Sequence, residues 1–212
     1  MVEWLVSNII DYSVAMDAME KRVLAIHSHS AQELIWLLEH SNVYTAGVSA
    51  SANEWLDTLQ KSVPVLKVAR GGKYTYHGPG QRVVYPIIDL RKCTKKDIKA
   101  YVFNMEEWII EALAVLGIVA FRQKSIIGVW VMDKNLGVSK IASIGIKVKK
   151  WIAYYGLAIN VSPDLSFFKH IIPCGINGVN ITSLENMGQK ISMRMLDRAL
   201  KEKQHIFLGS DR

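Results

Sequence analysis

The chain has 212 residues, of which 50% are hydrophobic and 21% are charged. This composition is typical of a soluble globular protein and excludes a disordered chain, so residues 1–212 are predicted to form a single domain. The longest apolar stretch, around 108–121, is interrupted by Glu111 and Gly117. It is too short to cross a bilayer, so no membrane association is expected.

The net charge of +7 predicts an acidic partner. The basic residues are scattered, with dense clusters only at 91–96 and 147–150, and no aromatic residues alternate with them. This pattern differs from that of a nucleic-acid-binding surface, so nucleic acid is not the expected partner. An acidic protein partner and a merely solvated basic face remain as alternatives.

The cellular compartment is predicted from the cysteines and the N-terminus. Cys93 and Cys174 are the two cysteines, and they form neither a metal-binding spacing nor a disulfide framework. The N-terminus has an early Glu3 and lacks the basic segment and small-residue cleavage site of a signal peptide. These features predict a reducing, cytoplasmic location.

Hydrophobic periodicity predicts the elements of the N-terminal half. A strand over 4–10 precedes an amphipathic helix over 12–27, a buried strand over 33–39 and a loop over 45–55. Strands over 63–69 and 83–89 flank a glycine-rich loop. A capping box at 94–97 begins a helix that runs to about Leu116 and ends at Gly117.

The C-terminal half is predicted to be mostly strand. Strands over 118–121 and 126–132 precede a turn at 133–135, and alternation over 140–161 predicts a hairpin that turns near 149–150. One helical turn at 164–170, a second capping box at 182–185 and a closing helix over 192–207 follow. The predicted fold class is α/β (α+β), with a mixed, largely antiparallel sheet and flanking helices.

The segment from Arg70 to Leu90, RGGKYTYHGPGQRVVYPIIDL, predicts a binding loop. Its glycines permit positive φ and close approach of the backbone to a ligand. A glycine-rich connection without a ligand is the alternative. His77 has three open roles, as a donor to a carbonyl, as a base, or as a side chain that only holds the loop.

Cys174 and Lys140 are the candidates for chemistry. Cys174 lies between Pro173 and Gly175, a setting that can present a thiol to a pocket, although a buried inert cysteine is the commoner case. A thiol needs a nearby cation or a helix N-terminus to act as a nucleophile. Lys140 is the best candidate cation, with a solvated lysine at a strand end as the alternative. Cys93 is expected to be an exposed bystander.

Small residues interrupt the bulky strands of the predicted hairpin. They leave space for a flexible apolar ligand or allow close backbone packing, and they are Ala142, Ser143, Gly145, Gly156 and Ala158. The histidines at 27, 29 and 170 give no convincing ligand set, so no metal site is predicted. The chain lacks a GxxxxGK[ST] phosphate loop, which argues against one class of nucleotide enzyme.

Several segments occur together in an order that is more specific than any single motif. They are the segment 70–90, GVWV (128–131), KIASIGIKVKKW (140–151), GLAINV (156–161), DLSFF (164–168), IPCGI (172–176) and ITSL (181–184). Together they resemble the octanoyltransferase, or lipoyl(octanoyl) transferase, family of lipoate biosynthesis. The resemblance covers most of the chain between 64 and 184.

The resemblance implies the fold of the biotin and lipoate protein ligases. It also implies transfer of an octanoyl or lipoyl group from octanoyl-acyl carrier protein to a lysine of a lipoyl domain. The implied acceptors are lipoyl domains of 2-oxoacid dehydrogenase complexes and the glycine cleavage H protein. No cofactor is implied, neither ATP nor a metal, and a monomer is expected.

The resemblance also assigns roles to residues of this chain. Cys174 matches the cysteine that carries the acyl group as a thioester, and Lys140 matches the lysine that activates this thiol. The residues that match substrate-contacting positions are Arg70, Gly71, Gly72, Lys73, Tyr74, Thr75, Tyr76, His77, Ser143, Ile144, Gly145, Gly156, Leu157 and Ala158. Amides near Gly175 and amides of the 70–77 loop are alternative donors to an oxyanion.

The chain departs from the family pattern at Tyr155, where members often have histidine before Gly-Leu-Ala, so no role is assigned there. Two other functions remain as alternatives. An ATP-dependent lipoate or biotin-type ligase has the same fold but does not need Cys174. A non-catalytic basic module that binds nucleic acid is the alternative from a different class.

Overall fold

The computed structural model describes residues 2–56, 62–93 and 97–209. Its strands and helices, in chain order, are β1 (Glu3–Ile10), α1 (Tyr12–His27), β2 (Leu34–His40), β3 (Val43–Ala46), β4 (Val65–Lys67), β5 (Tyr74–His77), β6 (Gln81–Asp89), α2 (Ile98–Val115), β7 (Ala120–Gln123), β8 (Ile126–Asp133), β9 (Gly137–Lys149), β10 (Ile152–Asn160), β11 (Asn180–Ile181), α3 (Met193–Glu202) and α4 (Gln204–Leu208).

The main sheet has eight strands in the order β1-β2-β6-β10-β9-β8-β7, and β11 pairs with β9. The β1–β2 and β11–β9 pairs are parallel and the other pairs are antiparallel. A second sheet contains three strands in the order β4-β3-β5. The predicted fold class is therefore confirmed. Within the described ranges, no helix is both long and apolar enough to span a membrane.

Both faces of the main sheet are covered by helices, which explains the continuous apolar runs in its central strands. Alternate residues of β2 pack on opposite faces. Leu37 belongs to a core that includes Trp108 of α2, whereas Leu38 belongs to a core that includes Met19 of α1. The helices α3 and α4 pack beside α2.

The predicted hairpin is confirmed as β9 and β10. Lys149 pairs with Ile152 across the turn, and the turn residues Lys150 and Trp151 both have positive φ, at 55° and 61°. Such a two-residue turn matches the right-handed twist of the flanking strands. The turn therefore fixes the register in which Gly145 pairs with Gly156.

The helix boundaries agree with the predictions at several positions. The helix α1 spans the predicted residues 12–27, and α2 ends next to Gly117, whose φ is +77°. Asp97 caps α2 by accepting hydrogen bonds from the amides of Lys99 and Ala100, at 2.8 and 3.1 Å. Residues 94–96 of the predicted capping box lie outside the described part of the chain.

Two segments predicted as loops contain strands. The predicted loop over 45–55 begins inside β3, and the glycine-rich loop contains β5, which pairs with β3. The strands on either side of the glycine-rich segment also belong to different sheets, because β4 lies in the small sheet and β6 in the large one. The strand β5 is short and polar, so hydrophobic periodicity did not predict it.

Three smaller predictions are corrected. The predicted capping box at 182–185 begins no helix, because Thr182 Oγ1 donates to Asp133 Oδ2 at 2.6 Å and residues 184–188 form a turn. The closing helix is interrupted at Lys203, between α3 and α4. Cys93 is not an exposed bystander, since it is half-buried and packs against the core on the α2 face.

Candidate active site

Lys140 and Cys174 meet at one end of a large cavity. The Nζ atom of Lys140 lies 2.8 Å from Cys174 Sγ and 2.8 Å from the carbonyl oxygen of Ile127. The lysine is only 3% exposed, so the alternative of a solvated lysine at a strand end is wrong. A buried ammonium needs polar partners, and here the thiol sulfur and a backbone carbonyl provide them.

Gly128 makes the space for the lysine side chain. It has φ of +129°, and a Cβ atom added to it would lie 2.8 Å from Lys140 Nζ and 2.7 Å from the carbonyl oxygen of Ala142. Its amide donates to Glu106 Oε1 at 2.8 Å. The glycine therefore combines an unusual backbone conformation with the absence of a side chain, and both direct Lys140 toward Cys174.

Cys174 lies in a tight turn that presents its thiol. The turn, Pro173–Gly175, follows Ile172, and Cys174 has φ of 61° and ψ of 6°. Left-handed φ is uncommon for a residue with a side chain and persists only where the surroundings enforce it. The amide of Gly175 donates to Ile172 O at 3.0 Å, which closes the turn. Cys174 is partly exposed, as the presented-thiol prediction requires.

The cavity has a volume of about 810 Å³, and both Lys140 and Cys174 line it. This is within the range typical of small-molecule sites. Most of the predicted substrate-contacting residues also line it, namely Arg70, Gly71, Gly72, Lys73, Tyr74, Thr75, His77, Ser143, Ile144, Gly145, Gly156, Leu157 and Ala158. Of the small residues of the hairpin, Ser143 and Ala158 line the cavity and Ala142 is buried in the core. Gly145 and Gly156 instead allow close backbone packing, because a Cβ atom added to them would meet the backbone of Gly71 and of Val84, respectively.

Tyr76 is the exception, and its predicted contact with substrate is corrected. It is not among the residues that line the cavity. Its hydroxyl donates to Asn42 Oδ1 at 2.8 Å, and its ring stacks on Phe167 with 4.6 Å between ring centroids. Tyr76 is instead buried in a small core that includes Tyr44 and Phe168.

Arg70 shapes the glycine-rich segment from inside. Its guanidinium donates to the carbonyl oxygens of Gly71, Thr45 and Lys73 at 2.9, 3.0 and 3.1 Å. Burial lowers the pKa of this guanidinium from its ordinary value. Arg70 therefore cross-links the segment to β3, and Gly71 is further fixed by donating its amide to Ile146 O at 2.9 Å.

Histidine and tyrosine rings form another part of the cavity lining. His77 Nδ1 pairs with Gln81 Oε1 at 2.7 Å, and the His77 ring stacks on that of Tyr12 with 5.7 Å between centroids. His40 lies behind them, 2.7 Å from the Tyr85 hydroxyl. Burial lowers the pKa of His77 to about 3 and that of His40 to about 4. Of the three roles left open for His77, this geometry favours that of holding the segment.

Several cavity residues were missed by the sequence analysis. Tyr12, Tyr85 and Tyr155 also line the cavity, and burial raises the pKa of Tyr12 and of Tyr155 to about 12. Tyr12 and Tyr85 are ordinary core residue types and gave no sequence signal, whereas Tyr155 was noted as a departure from the family pattern but was assigned no role. The cavity lining also includes exposed apolar side chains, which are Ile98, Phe103, Ile127 and Ile176.

No group of three or more His, Cys, Asp or Glu side chains in the described ranges is placed to hold a metal ion. The reactive groups of the cavity are instead the thiol of Cys174 and the ammonium of Lys140. A thiol next to a cation is suited to nucleophilic acyl transfer, because the cation stabilises the thiolate both as nucleophile and as leaving group.

Comparison with known proteins identifies the family. A family model for the lipoyl protein ligase A/B catalytic domain matches residues 11–204. An octanoyltransferase from Wolbachia pipientis wMel is 47% identical over 203 residues, which cover 95% of this chain and 97% of that protein. The chain belongs to the octanoyltransferase family. An octanoyltransferase from Zymomonas mobilis is 44% identical over 208 residues, covering 98% and 94% of the two chains.

Solved structures show the same fold at low sequence identity. A bi-partite lipoate protein ligase from Thermoplasma acidophilum has a TM-score of 0.72 at 16% identity, covering 98% of this chain and 84% of that one. A lipoate-protein ligase A with bound ATP has a TM-score of 0.74 at 16% identity, with 98% and 86% covered. The predicted family, the predicted acyltransferase class and the predicted ligase-type fold are therefore confirmed.

Proposed function

We propose that this member of the octanoyltransferase family moves an octanoyl group from acyl carrier protein to a lysine of a lipoyl domain, through a thioester on Cys174. The observation that supports this proposal most directly is the 2.8 Å contact between Lys140 Nζ and Cys174 Sγ in the cavity. The names of the relatives at 43–48% identity support the choice of acyl group. The acceptors we propose are lipoyl domains of 2-oxoacid dehydrogenase complexes and the glycine cleavage H protein.

In the first half-reaction, the Cys174 thiolate attacks the thioester carbonyl of the acyl carrier. A bond forms between Sγ and the acyl carbon, and the bond from that carbon to the carrier sulfur breaks. The Lys140 ammonium stabilises the attacking thiolate, and the departing carrier thiolate takes up a proton. One thioester replaces another, so the step is nearly isoenergetic and we propose that it needs neither ATP nor a metal.

In the second half-reaction, the neutral amine of the acceptor lysine attacks the same acyl carbon. An amide bond forms, the bond to Cys174 Sγ breaks, and the nitrogen releases one of its protons to solvent. The thiolate that leaves is again stabilised by Lys140, so one ammonium serves both steps. Conversion of a thioester to an amide is downhill, which drives the transfer to completion.

The oxyanion that forms in each step needs hydrogen-bond donors. The amides of Gly175 and Ile176 already donate to Ile172 O and Pro173 O, at 3.0 and 3.3 Å. Within the described residues, no acceptor is found for the amides of Gly72 and Lys73. Of the two predicted sources, the contacts therefore favour the glycine-rich segment.

The cavity suits a medium alkyl chain. Its wall includes the small side chains of Ser143 and Ala158. His77, which also lines the cavity, is neutral at physiological pH because burial lowers its pKa to about 3. Burial of the seven alkyl carbons of an octanoyl group at ~0.8 kcal/mol each contributes roughly 5 kcal/mol. That energy is sufficient to favour a chain that fills the cavity over a much shorter one.

The decisive experiment is intact-mass detection of an acyl-enzyme after mixing with octanoyl-acyl carrier protein. We expect one octanoyl adduct on the native chain and none on the Cys174→Ser variant. An adduct that persists in that variant would overturn the nucleophile. Activity with free octanoate and ATP, without activity from the carrier, would favour the ATP-dependent ligase, and salt-dependent RNA binding without acylation would favour the nucleic-acid-binding module.

We also propose a cytoplasmic location and a monomer. The proposed chemistry supports the location, because Cys174 must remain a free thiol and a reducing compartment keeps thiols free. Size-exclusion chromatography with light scattering tests the oligomeric state, with a dimer mass as the contradicting result.

A further inference from the structure

Glu54 is a buried carboxylate in a segment to which the sequence analysis assigned no function. It ends a short 3-10 helix, Ala52–Glu54, and is only 4% exposed. A buried carboxylate is costly unless its oxygens are paired. The hydrogen-bond and ion-pair partners of Glu54 therefore indicate its structural role.

Glu54 connects three segments of the site. Its Oε2 atom accepts a hydrogen bond from the Ser51 amide at 3.1 Å, and its Oε1 atom forms an ion pair with Lys73 Nζ. Its backbone carbonyl accepts a hydrogen bond from the Ile172 amide at 2.8 Å. The next residue, Trp55, pairs with Ile171 in an antiparallel bridge. The segment that leads into Cys174 is thus fastened to Glu54 and its neighbour.

Lys73 completes the connection from the opposite side. Its side chain lies against Gly175, where an added Cβ atom would be 2.6 Å from Lys73 Cε and 2.7 Å from Nζ. Gly175 also has φ of +67°. The ion pair with Glu54 therefore holds the lysine stem over the residue that follows the nucleophile. Backbone contacts before Cys174 and side-chain contacts after it both originate at Glu54.

The turn needs such support because Cys174 has left-handed φ, which its neighbours must enforce. Lys140 is not sufficient, because its attraction for the sulfur is greatest for a thiolate and falls when the sulfur is acylated. The contacts of Glu54 and Lys73 do not involve Sγ. Acylation of Sγ therefore leaves the partners in these contacts chemically unchanged.

We propose that Glu54 and Lys73 form a clamp that positions the Cys174 turn against Lys140 during both half-reactions. This inference rests on the proposed function. Both are positioning residues, and they act through the backbone of the turn. Lys73 was predicted to contact substrate, and the clamp gives it a different role in the same cavity.

The test compares variants in a Cys93→Ala background, in which Cys174 is the only cysteine. Glu54→Gln keeps the shape and removes the charge, Lys73→Met keeps the stem, and Lys73→Arg restores the cation. Asp197→Asn is the matched control, because it removes an ion pair with Arg82 (2.9 Å) that lies outside the cavity lining. Each variant is measured for acyl-enzyme formation, for the pH profile of iodoacetamide alkylation and for melting temperature.

We expect Glu54→Gln and Lys73→Met to slow acyl-enzyme formation by about tenfold to a hundredfold, as expected for a misplaced reactive group. The half-saturating carrier concentration should be unchanged, Lys73→Arg should recover most of the rate, and Asp197→Asn should acylate normally. The clamp is overturned if both variants acylate at the native rate, or lose no more rate than Asp197→Asn. If Glu54→Gln does not fold, Lys73→Met decides.

The same series separates this inference from the proposed function. If the native chain forms no acyl-enzyme, the proposed function fails, whereas iodoacetamide still reports the reactivity of Cys174. An altered alkylation profile in Glu54→Gln and Lys73→Met, restored in Lys73→Arg, would then support the clamp. Identical profiles in all variants would overturn it.

Discussion

Two regions of the site, around Lys140 and around the histidines His40 and His77, both bury ionisable side chains but give them different polar partners. At the reactive end, Lys140 is 3% exposed and has a thiol and a carbonyl as partners. In the second region, His40 and His77 are also buried, and burial lowers the pKa of both. A buried group keeps its charge where partners offset desolvation and loses it where they do not. The site therefore combines the Lys140–Cys174 pair with neutral imidazoles, beside which the buried Arg70 guanidinium is the nearby charged group.

The largest expected effect comes from removing the cation at the reactive end. Lys140→Met keeps most of the side-chain volume, so the loss reports on charge. We expect acyl-enzyme formation to fall by about 10²–10³-fold, with iodoacetamide alkylation of Cys174 shifted to higher pH. Lys134→Met, at an exposed turn position, is the control. An unchanged alkylation profile would contradict the pairing.

Burial of the neutral histidines His40 and His77 should make the stability of the protein depend on pH. The pKa of His40 is about 4 in the folded protein and 6.5 in its ordinary state. Between these values the unfolded chain binds a proton that the folded chain does not, so the free energy of unfolding decreases as the pH falls. The full difference corresponds to about 3 kcal/mol.

Urea titrations at several pH values between 7 and about 4 measure this decrease. In His40→Asn the decrease should be shallower, whereas His29→Asn, at an exposed position, should follow the native curve. His77 acts in the same direction, since burial lowers its pKa to about 3. Equal slopes for His40→Asn and the native protein would show that His40 is not the source.

A substitution at Gly128 tests whether this glycine positions Lys140 next to Cys174. In Gly128→Ala the added Cβ atom would meet Lys140 Nζ at 2.8 Å and Ala142 O at 2.7 Å. We expect displacement of the lysine and a loss of acylation rate of about tenfold or more. Gly117→Ala is the matched control, because Gly117 also has positive φ (+77°) but nothing lies within 4 Å of the added atom. Equal effects in both variants would attribute the loss to backbone strain alone.

The smallest effect should come from narrowing the cavity without touching the reactive pair. In Ala158→Leu the larger side chain enters the cavity, so octanoyl transfer should fall by about tenfold. Alkylation of Cys174 by iodoacetamide should remain at the native rate, and transfer from a butanoyl donor should be less affected. An equal loss for both donors would show that the variant disturbs the reactive end as well.

Much of the fold was predictable because its elements have strong local signals. The strand over 4–10, the helix over 12–27 and the hairpin around 149–150 follow from apolar periodicity and turn residues. The predictions that failed involve short polar segments. The strand β5 has only 4 residues. The Thr182 hydroxyl donates a hydrogen bond to the carboxylate of Asp133, which is distant in sequence, and does not cap a helix.

The sequence by itself determined the family, the fold class and the candidate site residues. The motifs around Arg70, Lys140 and Cys174 are runs of neighbouring residues, so local order is enough to recognise them. Glycines and alternating side chains also determine local backbone shape and the two faces of each strand. The residues that line the cavity beside the hairpin and the glycine-rich segment were named mostly through the family resemblance of these motifs.

Only the tertiary structure decided which of these residues meet. Lys140 and Cys174 are separated by 34 positions, and their contact depends on Gly128 and on a turn fastened to Glu54. The same packing buries Lys140, turns Tyr76 away from the cavity and keeps His77 neutral. These outcomes depend on desolvation and on partners from distant segments, which local periodicity does not encode.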